Sequence, residues 1–186
     1  MALLLLGFWL GAGIFADISV TRNFTTVERF LSNPGANDAA SEIAAIGRDR
    51  ERKILRRNAA EENNNLFRDW ERSEFAIGAL LIAVVAARRA RAADLALAAA
   101  MLAIVAIQHF ALSPQIASLG RLLPSVPPNH PSVARFWALH GIYSGSEILK
   151  LVIGLALAFR LALARSFSIA NARAASLAAA VAKPRS

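Results

Sequence analysis

Cysteine is absent from the 186 residues. Its absence rules out disulfides, thiolate zinc sites, iron–sulfur clusters and covalently attached haem. Charged residues are scarce too, at 18% of the chain against about 25% in average globular domains. Hydrophobic residues make up 56%, and the mean hydropathy is +0.43. The chain is therefore too apolar for an ordinary soluble domain, and also too apolar for intrinsic disorder.

Sequence motifs for catalysis or nucleotide binding are missing as well. The chain has no P-loop, dinucleotide-binding, zincin or Gly-x-Ser-x-Gly pattern, and no nucleophile–base pair at a fixed spacing. A role other than catalysis is therefore favoured. The net charge of +8 is better explained by bases that flank membrane spans than by nucleic acid, because the basic and aromatic residues form no stacking platform.

Four stretches are nearly free of charge, and with their flanks each reaches the roughly 20 residues that cross a bilayer. They cover residues 2–20, 68–87, 92–112 and 137–163. Ala96–Ile107 has no polar face, unlike the surface helix of a soluble protein. We therefore expect an all-α fold: an antiparallel four-helix transmembrane bundle that forms a single membrane domain over residues 1–186.

The connections between the spans differ in character. Residues 21–67 are predicted to form a helical extramembrane insert, with helices at 25–31 and 38–60 separated by Asn33-Pro34-Gly35. Its charged surface is interpreted as a solvated cap, with a docking surface as the alternative. The connection 112–131 holds five prolines and is predicted to be an irregular, stiff loop.

An even number of spans places both termini on one side of the membrane. The basic turn Arg88–Arg91 and the arginines that follow the last span favour the cytoplasm for that side. The expected partners are the lipid bilayer and either another protein or a second copy of the chain, and not nucleic acid. The Gly-x-x-x-Gly pairs Gly7/Gly11 and Gly141/Gly145 are interpreted as helix contacts within the bundle.

Four short motifs resemble a family of four-helix transmembrane proteins of unknown function. They are Phe8-Trp9-Leu10-Gly11, Leu112-Ser113-Pro114-Gln115-Ile116, Arg135-Phe136-Trp137-Ala138-Leu139-His140 and Gly154-Leu155-Ala156-Leu157. That family tends to show Trp-Leu-Gly in its first helix and Phe-x-x-Leu-His in its fourth. The resemblance implies a four-helix membrane fold and no particular chemistry. The chain departs from the pattern at Glu147 and Lys150, where the family has a residue such as Asn or Ser.

Polar residues within the spans concentrate near one membrane side. The predicted polar cluster consists of Asp17, Glu71, Glu74, Gln108, His109, His140, Tyr143, Glu147 and Lys150. Ionisable side chains inside a membrane usually face the bundle interior and pair with one another. Glu147 and Lys150 are three residues apart and can therefore pair on one helix. Arg22 is a further predicted partner for Asp17 or Glu74.

Three functions are compatible with such a cluster. The first and favoured one is structural: polar groups fix helix register in a small membrane protein that is an accessory subunit of a larger complex. The second is a membrane subunit that binds haem, chlorophyll or a metal through His109 and His140, although no helix has the Glu-x-x-His spacing of carboxylate-bridged metal sites. The third is an ion or proton path. No bound haem is expected.

Overall fold

The computed structural model describes residues 1–32, 47–88 and 90–181. Within these ranges 94% of the residues are helical and there is no strand, so the all-α prediction is confirmed. The four helices are α1 (Ala2–Ser32), α2 (Arg48–Ala87), α3 (Ala92–Ser125) and α4 (Pro131–Val181). Two of them, α1 and α3, are long and apolar enough to cross a membrane.

The helices pack in a ring, each antiparallel to the next. Helix α1 packs on α2, α2 on α3, α3 on α4, and α4 returns to α1. The direction of α1 against α2 is shown by two side-chain contacts, Trp9 with Glu74 and Asn23 with Asn63. At the end of the bundle that contains the turn between α2 and α3, Arg160 Nε of α4 donates to Asp94 Oδ1 at the beginning of α3, at 2.6 Å.

The apolar core lies in the half of the bundle, along its long axis, that is nearer the turn between α2 and α3. Its largest fully buried side chains are Leu6, Trp9, Leu81, Val85, Met101, Val105 and Leu157. Two glycines lie at close contacts between helices. A Cβ on Gly78 would lie 2.8 Å from Leu102 Cδ1 and 3.0 Å from the Trp9 ring. A Cβ on Gly154 would lie 2.6 Å from Leu10 Cδ2. These two residues, rather than the predicted glycine pairs, bring the helices together.

The interpretation of the Gly-x-x-x-Gly pairs as contacts within the bundle is wrong. All four glycines of Gly7/Gly11 and Gly141/Gly145 are exposed, and a Cβ added to any of them would meet nothing within 4 Å. With 3.6 residues per turn, residues two positions apart on an α-helix lie on nearly opposite sides. Trp9 and Tyr143, which lie two residues from these glycines, take the inward positions instead.

The predicted insert is helical where it is described, but it is not a separate unit. Instead of ending and restarting near residue 25, α1 continues to Ser32, and α2 runs without a break from Arg48 through the predicted second span. Neither stretch contains a proline, so nothing interrupts the backbone hydrogen bonds. Residues 33–46, with the predicted Asn33-Pro34-Gly35 stop and the start of the 38–60 helix, lie outside the described residues.

The prediction of an irregular loop over 112–131 is largely wrong. After the α-helical part of α3, a π-helical turn covers Gln108–Leu112, α-helix resumes over Ser113–Leu122, and a 3-10 turn covers Leu123–Ser125. Pro114 has no amide hydrogen for a bond to the carbonyl four residues back. The wider π turn, in which the Ser113 N–H donates to the Gln108 carbonyl, accommodates this loss. Within the predicted loop 112–131, residues 126–130 are the non-helical part.

Candidate functional site

Five ionisable or amide side chains are buried between the helices just beyond the apolar core. Glu71 and Glu74 on α2 and Gln108 on α3 are each 0% exposed, Lys150 on α4 is 4% exposed, and Glu147 is 9% exposed. Spacings of three residues place both acids of α2, and the acid and base of α4, on the inward faces of their helices. Ordinary charged side chains are almost never buried to this degree unless they are paired.

Lys150 is the centre of one set of contacts, which we call the lysine centre (Trp9, Glu74, Gln108, Ser146, Glu147 and Lys150). Lys150 Nζ donates to Glu74 Oε1, to Glu147 Oε1 at 2.9 Å and to Gln108 Oε1 at 3.5 Å. The Gln108 amide nitrogen donates to Glu147 Oε1 at 2.9 Å and to Ser146 Oγ at 2.7 Å. Trp9 Nε1 donates to Glu74 Oε1 at 2.7 Å. All four helices therefore contribute to one hydrogen-bonded set.

Glu71 organises a second set one helical turn away, which we call the Glu71 centre (Glu71, His109, Ser113 and Tyr143). Its Oε1 accepts hydrogen bonds from the Ser113 hydroxyl and from the Tyr143 hydroxyl at 3.2 Å. Its Oε2 lies 2.9 Å from His109 Nδ1, which donates to it when that nitrogen carries hydrogen. The π turn contains His109, and Ser113 follows it directly. Both Glu71 oxygens therefore have partners.

Asp17 lies beside the lysine centre at a small gap between α1, α2 and α4. The gap has a volume of about 10 Å³ and is lined by Asp17, Glu74, Glu147 and Lys150 together with apolar residues of α1 and α4. Asp17 is half-buried. Glu74 Oε2 is buried and has no hydrogen-bond partner within the described parts of the chain.

His140 is placed differently from the other predicted members. Its ring stacks on Phe136, with ring centroids 5.8 Å apart and an interplanar angle of 15°, and meets Trp137 edge-on. It shares a helix face with Glu147 but lies seven residues earlier, which is about 10 Å along the helix axis. His109 instead packs against Phe75 and Phe110, so the two imidazoles have different surroundings.

The predicted pairing of Asp17 or Glu74 with Arg22 is not found among the residues that the structure covers. Asp17 and Arg22 are five residues apart on α1, so they point to different sides of the helix. The predicted pairing of Glu147 with Lys150 is present in the structure.

Sequence reasoning missed Trp9, Ser113 and Ser146 as members of the two centres. Trp9 is absent from the predicted polar cluster, yet it is 1% exposed and its indole nitrogen donates to Glu74. A usable signal was the spacing of Leu6, Trp9 and Ala16 on one face of α1, since a buried indole N–H usually finds an acceptor. The two serines carried no comparable signal, because serine hydroxyls in helices commonly bond to their own backbone.

A metal site is not indicated by this geometry. Across residues 1–32, 47–88 and 90–181, no group of three or more His, Asp or Glu side chains is arranged to hold a metal ion. His109 already has Glu71 as a partner at Nδ1. The expectation of no bound haem stays a prediction, and binding of haem or chlorophyll through His109 and His140 stays the alternative interpretation.

Comparisons with known proteins find no matching family model, curated protein or solved structure. Functional inference therefore depends on the residues themselves. Chemically, the two centres hold three carboxylates, one ammonium group and one imidazole that are linked across four helices by hydrogen bonds. Such an arrangement can fix helix register and can hold or release protons.

Proposed function

We propose that the chain is a multi-pass integral membrane protein, a four-helix transmembrane bundle with a structural or accessory role in a larger membrane complex. One observation carries this proposal: beside its apolar core the bundle interior holds fully buried carboxyl groups and an ammonium group, while large apolar side chains are exposed on the outside.

The exposed apolar residues lie on every helix that borders the two centres. Examples are Phe8 and Phe15 on α1, Phe110 on α3, and Ile148 and Phe159 on α4, each more than 60% exposed. A monomeric soluble protein rarely exposes apolar surface on this scale. In a bilayer the same surface faces lipid, and the charged residues take the interior positions that intramembrane charges require.

The proposed spans are the segments 2–20, 68–87, 92–112 and 137–163. Helices α1 and α3 support this by their length and composition. For α2 and α4 the support is their packing beside α3 at matching levels. Glu71 contacts His109, and Glu147 contacts Gln108. A helix that lies alongside α3 over this length crosses the same layer as α3.

The buried centres support a structural role because their hydrogen bonds join α1 to α2, α2 to α3, α2 to α4 and α3 to α4. Interhelical hydrogen bonds in membranes contribute about 0.6 kcal/mol on average. Removal of one partner of a buried ion pair costs more, about 3–5 kcal/mol, because a charge is left without compensation. The centres therefore select one register among the many that apolar helices could adopt.

The face of α1 that carries the exposed glycines Gly7 and Gly11 is proposed to contact a protein partner or a second copy of the chain.

The proposed topology places the turn at Arg88–Arg91 and both termini in the cytoplasm, with 21–67 and 113–134 on the other side. Cysteine labelling tests it directly, since the chain has no cysteine of its own. A membrane-impermeant maleimide should label Asn65→Cys on intact cells and should label Ala90→Cys only after the membrane is opened.

Two results would contradict the proposal. Labelling of Ala90→Cys from outside intact cells would reverse the orientation. Release of the protein from membranes by alkaline carbonate would show that it does not span the bilayer at all.

A further inference from the structure

A small gap lined by ionisable side chains lies beside the lysine centre. A volume of about 10 Å³ is close to the minimum that holds one water molecule. Carboxyl groups of α1, α2 and α4 line it, from Asp17, Glu74 and Glu147, together with the Lys150 ammonium group. Asp17 is more exposed than the other three residues, so it lies on the outer side.

Glu74 has one oxygen that its neighbours do not satisfy. Oε1 accepts from Trp9 and from Lys150, whereas Oε2 is buried without a partner in the described ranges. Buried polar atoms normally have a hydrogen-bond partner. Glu71, one turn away and equally buried, has partners at both oxygens. Of the two buried acids on this face of α2, Glu74 therefore differs from Glu71 in having an oxygen without a partner.

The surrounding charges do not balance when every acid is ionised. The groups around Glu74 are Asp17 on α1, Glu71 on α2, Gln108 and His109 on α3, and Glu147 and Lys150 on α4. Three fully or nearly buried carboxylates face one ammonium group, which leaves two negative charges, or one if His109 is protonated. Within a bilayer such an excess is strongly unfavourable. Addition of a proton to one of these acids removes a charge.

We propose that the gap between α1, α2 and α4 is a reversible proton-binding site, with the exchangeable proton on Glu74 and Asp17 as the group that passes it to and from the surface. This inference rests on the proposed membrane location. Release breaks the bond between Oε2 and hydrogen. A water molecule in the gap then receives the proton and transfers it to the Asp17 carboxylate. No other bond changes.

Infrared spectroscopy of the full chain in lipid vesicles tests the proposal. At neutral pH the wild-type protein should show the carbonyl band of a protonated carboxylic acid, and the band should shift in D₂O. Glu74→Gln should lose this band. The matched control is Glu71→Gln, which removes an equally buried acid whose oxygens both have partners, and it should keep the band.

Asp17→Asn tests the path of the proton. The carbonyl band should remain, because Glu74 is intact. Its hydrogen–deuterium exchange should slow by roughly 10²-fold, the contribution typical of one positioned proton-transfer group. Unchanged exchange would overturn the role of Asp17.

Other outcomes would overturn the site itself. Absence of the carbonyl band from the wild-type protein at neutral pH would overturn the proton-binding site. This result does not depend on whether the Glu74→Gln variant folds. Persistence of the full band in Glu74→Gln that retains wild-type helical circular dichroism would assign the proton elsewhere. Loss of the band when sodium replaces choline at constant pH would identify a metal-cation site instead. Carbonate extraction and cysteine labelling do not depend on this band, so failure of the membrane proposal is detected separately.

Discussion

Lys150 is the residue on which the largest number of buried contacts converge. Its ammonium group lies between two carboxylates from different helices and also reaches the Gln108 amide oxygen. Its side chain is about as inaccessible as the core leucines. The lysine therefore binds carboxyl groups of α2 and α4 at the same time, which a pair within α4 alone would not do.

Substitution at this position should reveal the coupling. We expect Lys150→Met to destabilise the protein by about 3–5 kcal/mol, because the buried Glu147 carboxylate loses its counter-charge and Glu74 loses a hydrogen-bond donor. Lys150→Met combined with Glu147→Gln should lose less than the sum of the two single variants, with a coupling of about 0.5–3 kcal/mol. Unfolding in detergent micelles, followed by circular dichroism, measures these changes.

The matched control is Arg72→Met, which breaks the exposed pair with Asp69. A surface pair contributes about 0–1 kcal/mol, so this variant should unfold close to the wild type. Strict additivity of the Lys150 and Glu147 variants would show that the two residues are independent.

The residues of the lysine centre could be anticipated in part from the sequence. Charges within apolar stretches must turn inward, and that reasoning identified Glu74, Glu147 and Lys150. It could not identify Glu74 as the main partner of Lys150, because 76 residues separate them and helix periodicity does not fix the rotation of one helix against another. It also placed His140 too close, since depth along a helix depends on tilt and register.

At the scale of the helices, the packing of α1 against α2 depends on a missing side chain. Gly78 lies against Leu102 and the Trp9 ring, and that ring is held in place by the hydrogen bond from its nitrogen to Glu74. Small residues allow helix backbones to approach closely in membranes. The apolar contact and the lysine centre are thus linked through one indole.

Alanine substitutions at two glycines should therefore have opposite effects. Gly78→Ala should destabilise the protein by about 1–3 kcal/mol because its Cβ overpacks a ring that cannot move freely. Gly11→Ala, at a position with open space, should be neutral or stabilise the helix by up to about 1 kcal/mol. Thermal unfolding of both variants in the same detergent makes the comparison. An equal loss of stability in the two variants would contradict the close approach at Gly78.

The shape of α3 shows where prediction by element failed. Five prolines suggested a loop, yet Pro114 sits in the first turn of renewed helix and the π turn ahead of it absorbs its missing hydrogen bond. A proline within an apolar helical pattern indicates a local distortion of the helix here, not the end of the helix. That distortion helps to place His109 and Ser113 against Glu71.

At the scale of the whole molecule, the helices are longer than a bilayer is thick. With a rise of about 1.5 Å per residue, α4 with its 51 residues extends about 77 Å, against about 30 Å for the hydrocarbon layer. Helix α2, with 40 residues, extends about 60 Å. In the proposed orientation the two excess lengths protrude on opposite sides, with α1 and α2 paired at one side and α4 alone at the other.

Limited proteolysis of oriented vesicles should reflect this asymmetry. Trypsin added to inside-out vesicles should cut after Arg165 and Arg173, on the part of α4 beyond the ring, and should leave residues 48–57 intact. Right-side-out vesicles should give the reverse pattern, with cleavage within 48–57. Mass spectrometry of the fragments distinguishes the two. Cleavage within 48–57 and after Arg165 in the same sealed vesicles would contradict the three proposed crossings that separate these two regions.

The contact between Glu74 and Lys150 has a consequence for synthesis. The acid is made 76 residues before the base, an interval of roughly 4–15 s at ordinary translation rates of about 5–20 residues per second. During that time α2 carries two acids that have no lysine to offset them. In the proposed membrane setting, we therefore expect α2 either to bind protons at these acids or to stay hydrated until α4 emerges. The stable insertion of α2 into the bilayer then depends on the synthesis of Lys150 in α4.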